Sequence, residues 1–162
     1  MHATRRAGRG FSLLELIITL GILAILVSAA IPLTRDVLRR EREIELKRNL
    51  REIRMAIDRY HADCLGNKLN PLETESTKVD NKTQCYPKEM KVLIEGVKLN
   101  NSTQSIRYLR RVPIDPFTEK DDWKFRSVQD KPDSDSWGGE NVFDVYSSST
   151  GKALNGTKYR DW

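Results

Sequence analysis

One carboxylate, Glu15, interrupts an otherwise apolar run over residues 11–33, which is entered through Arg9-Gly10-Phe11. An ionised acid in hydrocarbon costs on the order of 2–3 kcal/mol or more, so Glu15 calls for a partner or an exit route. At 1.5 Å per residue a helix over this run is about 34 Å long, enough for a hydrocarbon core about 30 Å thick.

The second pair of reactive groups is Cys64 and Cys85, the two cysteines of the chain. No CxxC, CxxCH or Cys/His cluster surrounds them, which argues against a metal or haem site. Two readings stay open. Outside the cytoplasm a disulfide would close the intervening loop and stabilise the fold by about 3 kcal/mol. Otherwise both are unpaired thiols, with Cys64 packed in the core. The two histidines offer no catalyst: His2 precedes the apolar run, and His61 reads as a surface residue near the end of a long helix. There is no phosphate-binding glycine loop and no nucleophile with an identifiable base, so no enzyme is expected.

The elements that position these groups follow from periodicity. Residues 1–10 are basic and carry no acid, which under the positive-inside tendency places the N-terminus in the cytoplasm and the remainder outside. Residues 11–34 read as a membrane helix with Pro32 as a kink or a locally melted turn, since a proline inside a helix removes a backbone hydrogen bond. Ser28-Ala29-Ala30 resembles a cleavage site for an ordinary signal peptidase, but the apolar region is longer than such signals use and contains Glu15. Residues 35–65 continue the helix to about Ala62. There Leu46, Leu50, Ile53, Ile57, Tyr60 and Cys64 recur at spacings of three and four, one apolar stripe whose default meaning is core. The charges that alternate between Arg35 and Arg54 read as a solvated face or as salt bridges between neighbouring subunits.

Residues 66–162 form the expected head. Residues 66–85 read as a polar surface loop, 88–95 as a short helix with Met90, Leu93 and Ile94 inward, and 106–110 as another helical turn. Residues 112–117 are proline-fixed and extended. Alternation of period two predicts strands over 123–128 and 142–146, and the terminal Trp162 is expected to pack on the head. The balance of 28 basic to 23 acidic residues gives +5, and removing Arg5, Arg6 and Arg9 leaves +2, with no clustered footprint for nucleic acid.

Gly10-Phe11-Ser12-Leu13-Leu14-Glu15, behind a basic leader and ahead of a membrane-length run, closely resembles the class III signal of type IV pilins and type II secretion pseudopilins. The head is similar to the major pseudopilins of type II secretion, the general secretion pathway protein G family. The residues that carry this are Tyr86-Pro87, the helix ending Glu95-Gly96, the segment Tyr108-Leu109-Arg110-Arg111-Val112-Pro113-Ile114-Asp115-Pro116-Phe117 and Trp162.

The resemblance implies the α+β pilin fold, a long N-terminal helix packed on a small head with short helices and an antiparallel sheet. It implies cleavage between Gly10 and Phe11 by prepilin peptidase, N-methylation of Phe11, and an assembly role for Glu15 opposite the new amine of a neighbour. Pro32 corresponds to the kink-associated proline. The implied partners are further copies in a helical homopolymer, minor pseudopilins, prepilin peptidase, an inner-membrane assembly platform and the membrane before assembly. The implied location is the inner membrane and then a periplasmic or cell-surface filament. A type IV pilus subunit for adhesion, motility or DNA uptake shares the N-terminal features, and a soluble periplasmic domain released by signal peptidase is the third alternative.

The sequence departs from that family in two places. Residues 63–85 are longer than its usual connection, with paired cysteines outside its pattern. Its carboxylate-rich calcium loop is replaced by residues 147–156, rich in Ser and Gly, with no carboxylate before Asp161. Calcium takes six to eight oxygens, usually including carboxylates, so Asn155, Asp161 and backbone carbonyls would make a weak site at best.

Overall fold

The computed structural model describes residues 11–70 and 85–162, without the side chains of 29–34. The chain divides into two units, Met1–Arg40 and Glu41–Trp162. The architecture is α+β: a long N-terminal helix, α1 (Leu13–Leu65), followed by a small head with short helices and two small antiparallel sheets.

In the first unit α1 opens with Leu16 N donating to Ser12 O at 3.1 Å. Every large apolar side chain described from Phe11 to Val27 is more than half exposed. The two hydroxyls on this stretch are turned back onto the helix, Thr19 to Leu16 O at 2.9 Å and Ser28 to Ile25 O at 2.8 Å. This pairing removes the cost of burying them under an apolar cover. Helical backbone continues through position 32, so no melted turn interrupts it; the side chain of Pro32, on which the expected kink rests, lies outside the described residues. Among the described residues no helix is long and apolar enough to cross a membrane. The run expected to do so includes residues 29–34.

In the second unit the stripe on α1 is the core. Leu46, Leu50, Ile53, Ile57, Tyr60 and Cys64 are all buried, because spacings of three and four put their side chains on one face. Against them pack Leu93, Val97, Leu109, Trp123, Val142 and Val145. The helix runs to Leu65, one turn past the expected end at Ala62. It closes with Lys68 N donating to Asp63 O and Asn67 N to Cys64 O, both at 3.0 Å, with Asn67 at φ 53°. This is the paired end-cap in which a left-handed residue satisfies the last carbonyls, and it keeps Cys64 helical and on the stripe.

Cys64 is disulfide-bonded to Cys85, with Cα atoms 5.6 Å apart. His61, expected at the surface, is half-buried: its ring stacks on Tyr86 at 4.0 Å and its Nδ1 lies 2.9 Å from Cys85 O. The segment after α1 also differs from a plain surface loop. Leu69 is buried and bridges Leu99, while Asn70 N donates to Lys98 O at 2.9 Å. The rest of that connection, residues 71–84, lies outside the described residues.

Helix α2 (Met90–Glu95) buries Met90 and Leu93, whereas Ile94 is only partly covered. Gly96 ends it at φ 91°, where a Cβ would stand 2.9 Å from Ile106 O, so both the backbone angle and the close approach require glycine. The helical turn expected over 106–110 is instead a hairpin arm. β1 (Val97–Lys98) pairs antiparallel with β2 (Ser105–Ile106) in the register Val97↔Ile106, and Tyr108 N and Leu109 N both donate to Leu93 O at 2.9 Å. Carbonyls at the end of α2 thus capture the amides that a local helix would have used. β3 (Lys124–Arg126) pairs antiparallel with β4 (Asp144–Tyr146), Phe125 opposite Val145, both shorter than the alternation suggested.

Because the bridge spans a sequence separation of 21, replacing Cys64 and Cys85 together by serine is expected to lower the unfolding free energy of the head by about 3 kcal/mol. The fluorescence of Trp123, Trp137 and Trp162, all in the head, reads this during denaturant unfolding of the full chain.

Beside the bridge, Tyr108 donates to Asp63 Oδ2 at 3.1 Å and Lys68 pairs with Asp63 Oδ1 at 2.8 Å. Burial, and then the Asp63 charge and hydrogen bond, push the Tyr108 phenol well above its ordinary range. The folded state therefore keeps this proton more tightly than the unfolded chain. The resulting stability is present below about pH 10 and is lost as pH rises through the raised folded value. In an ultraviolet tyrosinate titration Tyr108→Phe should delete the latest-titrating phenol; an unchanged late phase would contradict this placement.

Candidate functional site

The residues singled out at the N-terminus lie on one short segment. Phe11 is 82% exposed and precedes α1, while Glu15 occupies the first turn of the helix. A carboxylate there is favoured by the partial positive charge of unpaired amides. Among the described residues Glu15 makes no ion pair and no side-chain hydrogen bond, and its near neighbours Leu14, Leu16, Ile17 and Ile18 are exposed and apolar. Gly10, the other half of the junction, lies outside the described residues. The segment can therefore offer one uncompensated acid within an uncovered apolar surface, close to the point where cleavage would create an amine.

The terminal loop is held by hydrogen bonds. Ser147 donates to Asp115 Oδ2, and Asp115 Oδ1 receives Phe117 N at 2.8 Å, which satisfies a fully buried carboxylate. Ser149 N donates to Ser147 Oγ at 3.1 Å and Gly151 N to Ser149 Oγ at 3.3 Å, so each of these serines caps the amide two residues on. Ala153 N reaches Thr157 O at 2.7 Å. Glu43 on α1 then anchors the loop, its Oε1 receiving Leu154 N at 2.8 Å and the Tyr159 hydroxyl at 3.1 Å.

Asn155 and Asp161, the residues named for a weak calcium site, each have partners within the head. Asn155 Oδ1 is taken by Thr157 N at 3.1 Å and Thr157 Oγ1 at 2.7 Å. Asp161 sits 3.5 Å from Arg160, whose guanidinium also pairs with Asp135. Among the described residues no group of three or more His, Cys, Asp or Glu side chains converges on one point.

Sequence periodicity missed the groups that orient the head. Arg54, read as the end of a solvated or intersubunit charged face, is spent inside the unit. It pairs with Asp144 at 2.7 Å and donates to Val145 O at 3.0 Å and Trp162 O at 2.7 Å. Asn49 is buried and donates to Ile114 O at 2.9 Å. Both border the apolar stripe, Arg54 next to Ile53 and Asn49 next to Leu50, and that position was the available signal. Trp162 does pack on the head, edge-on to Tyr159 with its Nε1 on Thr157 Oγ1 at 2.7 Å.

Residues 5–31 match the family model described as the prokaryotic N-terminal methylation motif. That motif is typical of type IV pilin-like proteins and indicates processing by prepilin peptidase and filament assembly. The match contains Gly10, Phe11 and Glu15 and ends before Pro32. No curated protein and no solved structure matches the chain significantly.

Because the terminal loop is closed by serine, threonine and backbone groups, millimolar calcium is expected to leave the thermal midpoint of the protein unchanged. A ligand that binds only the native state at a hundredfold excess over its Kd adds about 2.7 kcal/mol, so an upward shift of several degrees would show that calcium binds.

Proposed function

We propose that the chain is the major pseudopilin of a type II secretion system, an assembly subunit without enzymatic activity whose N-terminal helix serves first as membrane anchor and then as polymerisation helix. The observation that carries this reading is Glu15, without a partner among the described residues, on an uncovered apolar helix inside the matched motif. The head supports it through the similarity of residues 108–117 to that family and through an α+β arrangement of long helix and small head.

In the precursor, Arg5, Arg6 and Arg9 hold the leader in the cytoplasm while residues 11–33 span the inner membrane. Cleavage after Gly10 creates an amine at Phe11, which is then methylated. In the filament Glu15 of one subunit meets that amine on a neighbour. Each charge alone would be strongly unfavourable away from water, and together they compensate each other's desolvation, which selects the register of addition. The apolar side chains pass from lipid to a bundle of like helices, and their burial from water maintains cohesion. Minor pseudopilins and an inner-membrane platform complete the assembly. Calcium has no role in this scheme.

Mass spectrometry of the mature protein is expected to give methylated Phe11 as the first residue; a mature terminus at Ile31 would instead identify an ordinary signal peptidase product. Glu15→Ala should insert and be processed normally while filament yield falls roughly tenfold or more, as expected for an amine left without its counter-charge. Normal yield from that variant would end the pairing idea. Filaments confined to the periplasm, with export blocked in their absence, separate the secretion role from that of an extended type IV pilus.

A further inference from the structure

Just beyond the apolar run, the first unit ends in Arg35-Asp36-Val37-Leu38-Arg39-Arg40, still within α1. Three arginines against one aspartate leave this stretch at +2. At about 100° per residue Arg35, Arg39 and Arg40 fall on one side of the helix with Asp36 among them, while Val37 and Leu38 take the other. Arg35 and Arg40 are exposed and Arg39 is half-buried. Among the described residues Arg35, Asp36 and Arg40 make no ion pair and no side-chain hydrogen bond, so their charges are not met inside the unit.

The direction of the helix decides where these cations reach. Every Cα–Cβ bond of an α-helix tilts toward its N-terminus, and at that end of α1 lies the apolar run. The arginine side chains therefore start back toward the run. Counted from residue 33, residue 35 is about 3 Å and residue 40 about 10 Å further along the axis. Beyond the hydrocarbon a bilayer carries a polar layer about 5–8 Å thick on each side. A helix that spans with residues 11–33 thus sets Arg35 inside that layer and directs Arg39 and Arg40 into it. The anion found at that depth is the lipid phosphate, and a guanidinium offers paired N–H donors that match two of its oxygens.

We propose that Arg35, Arg39 and Arg40 form a binding surface for anionic phospholipid headgroups in the leaflet on the side of the head. The inference rests on the membrane-anchor reading above and adds a lipid class to it. A zwitterionic headgroup has the same phosphate but brings its own ammonium, so a surface with excess positive charge selects lipids whose net charge is negative. Bound lipids hold the helix exit at a fixed depth. Each is released when the chain leaves the membrane for a filament, so the contact opposes extraction until the new neighbours compensate.

The test uses the mature chain, from which processing has removed Arg5, Arg6 and Arg9, in phosphatidylcholine vesicles. Traces of spin-labelled phosphatidylglycerol or spin-labelled phosphatidylcholine are added, and electron paramagnetic resonance separates lipid restricted by the protein from bulk lipid. The wild-type chain should retain phosphatidylglycerol about threefold or more over phosphatidylcholine, a modest share of what three cations near the surface can supply. Arg35→Gln, Arg39→Gln and Arg40→Gln together should bring that ratio close to one. Lysine at the same three positions should keep most of the preference, because the selection is for charge. Arg48→Gln with Arg51→Gln, exposed on the second unit, should leave it unchanged.

Equal retention of the two lipids by the wild type would overturn the headgroup surface and leave the membrane anchor standing. So would a preference that survives the triple glutamine variant. A chain that restricts neither lipid would remove the anchor, and the surface with it.

Discussion

Burial of one helical stripe holds the head together. Its strands are only two or three residues long, too short for their ladders to define a core, and three or more strands or a packed helix are needed for independent stability. Helix α1 fills that role. From Leu46 to Cys64 it presents six buried side chains at spacings of three and four, and the short elements of the head pack against it. Polar ties then fix their orientation: Arg54 to β4 and Trp162, Glu43 to the terminal loop, Asn49 to the carbonyl of Ile114. Each comes from a residue at the margin of the stripe, where a long side chain can reach past the apolar contact.

The same helix is built for a different solvent near its start. From Leu13 to Val27 its apolar side chains are uncovered, its hydroxyls are closed onto its own carbonyls, and its one acid has no partner among the described residues. Exposed apolar surfaces of this extent mark protein or membrane contact sites. In the proposed assembly a neighbouring helix ending in a free amine would supply the counter-charge that lipid lacks. The N-terminal methylation motif matched over residues 5–31 belongs to proteins that produce that amine by processing.

The terminal loop is held by its own short polar side chains. Ser147 and Ser149 each cap the amide two residues on, and the side-chain oxygen of Asn155 is taken by Thr157. A helix carboxylate, Glu43, anchors the loop through a backbone amide and a tyrosine hydroxyl. The disulfide between Cys64 and Cys85 ties the end of α1 to the segment that opens at residue 85.

The sequence by itself determined what depends on neighbours along the chain: the long helix, its buried stripe, the two strand regions, and the conjunction of Gly10, Phe11 and Glu15. Periodicity and short motifs are local, and a helix of fifty-three residues needs no distant partner to declare its period. Tertiary structure alone decided where competing backbone and charge partners lay. Residues 106–110 resemble a helical turn locally, but the carbonyl of Leu93 takes the amides of Tyr108 and Leu109, and Ile106 pairs with Val97 in a hairpin. Arg54 looks like any cation on a charged face until β4 brings Asp144 against it from ninety residues away. His61 and Leu69 were called to the interior by the disulfide and by the strand at Lys98, contacts that no local pattern encodes because their partners are distant in sequence.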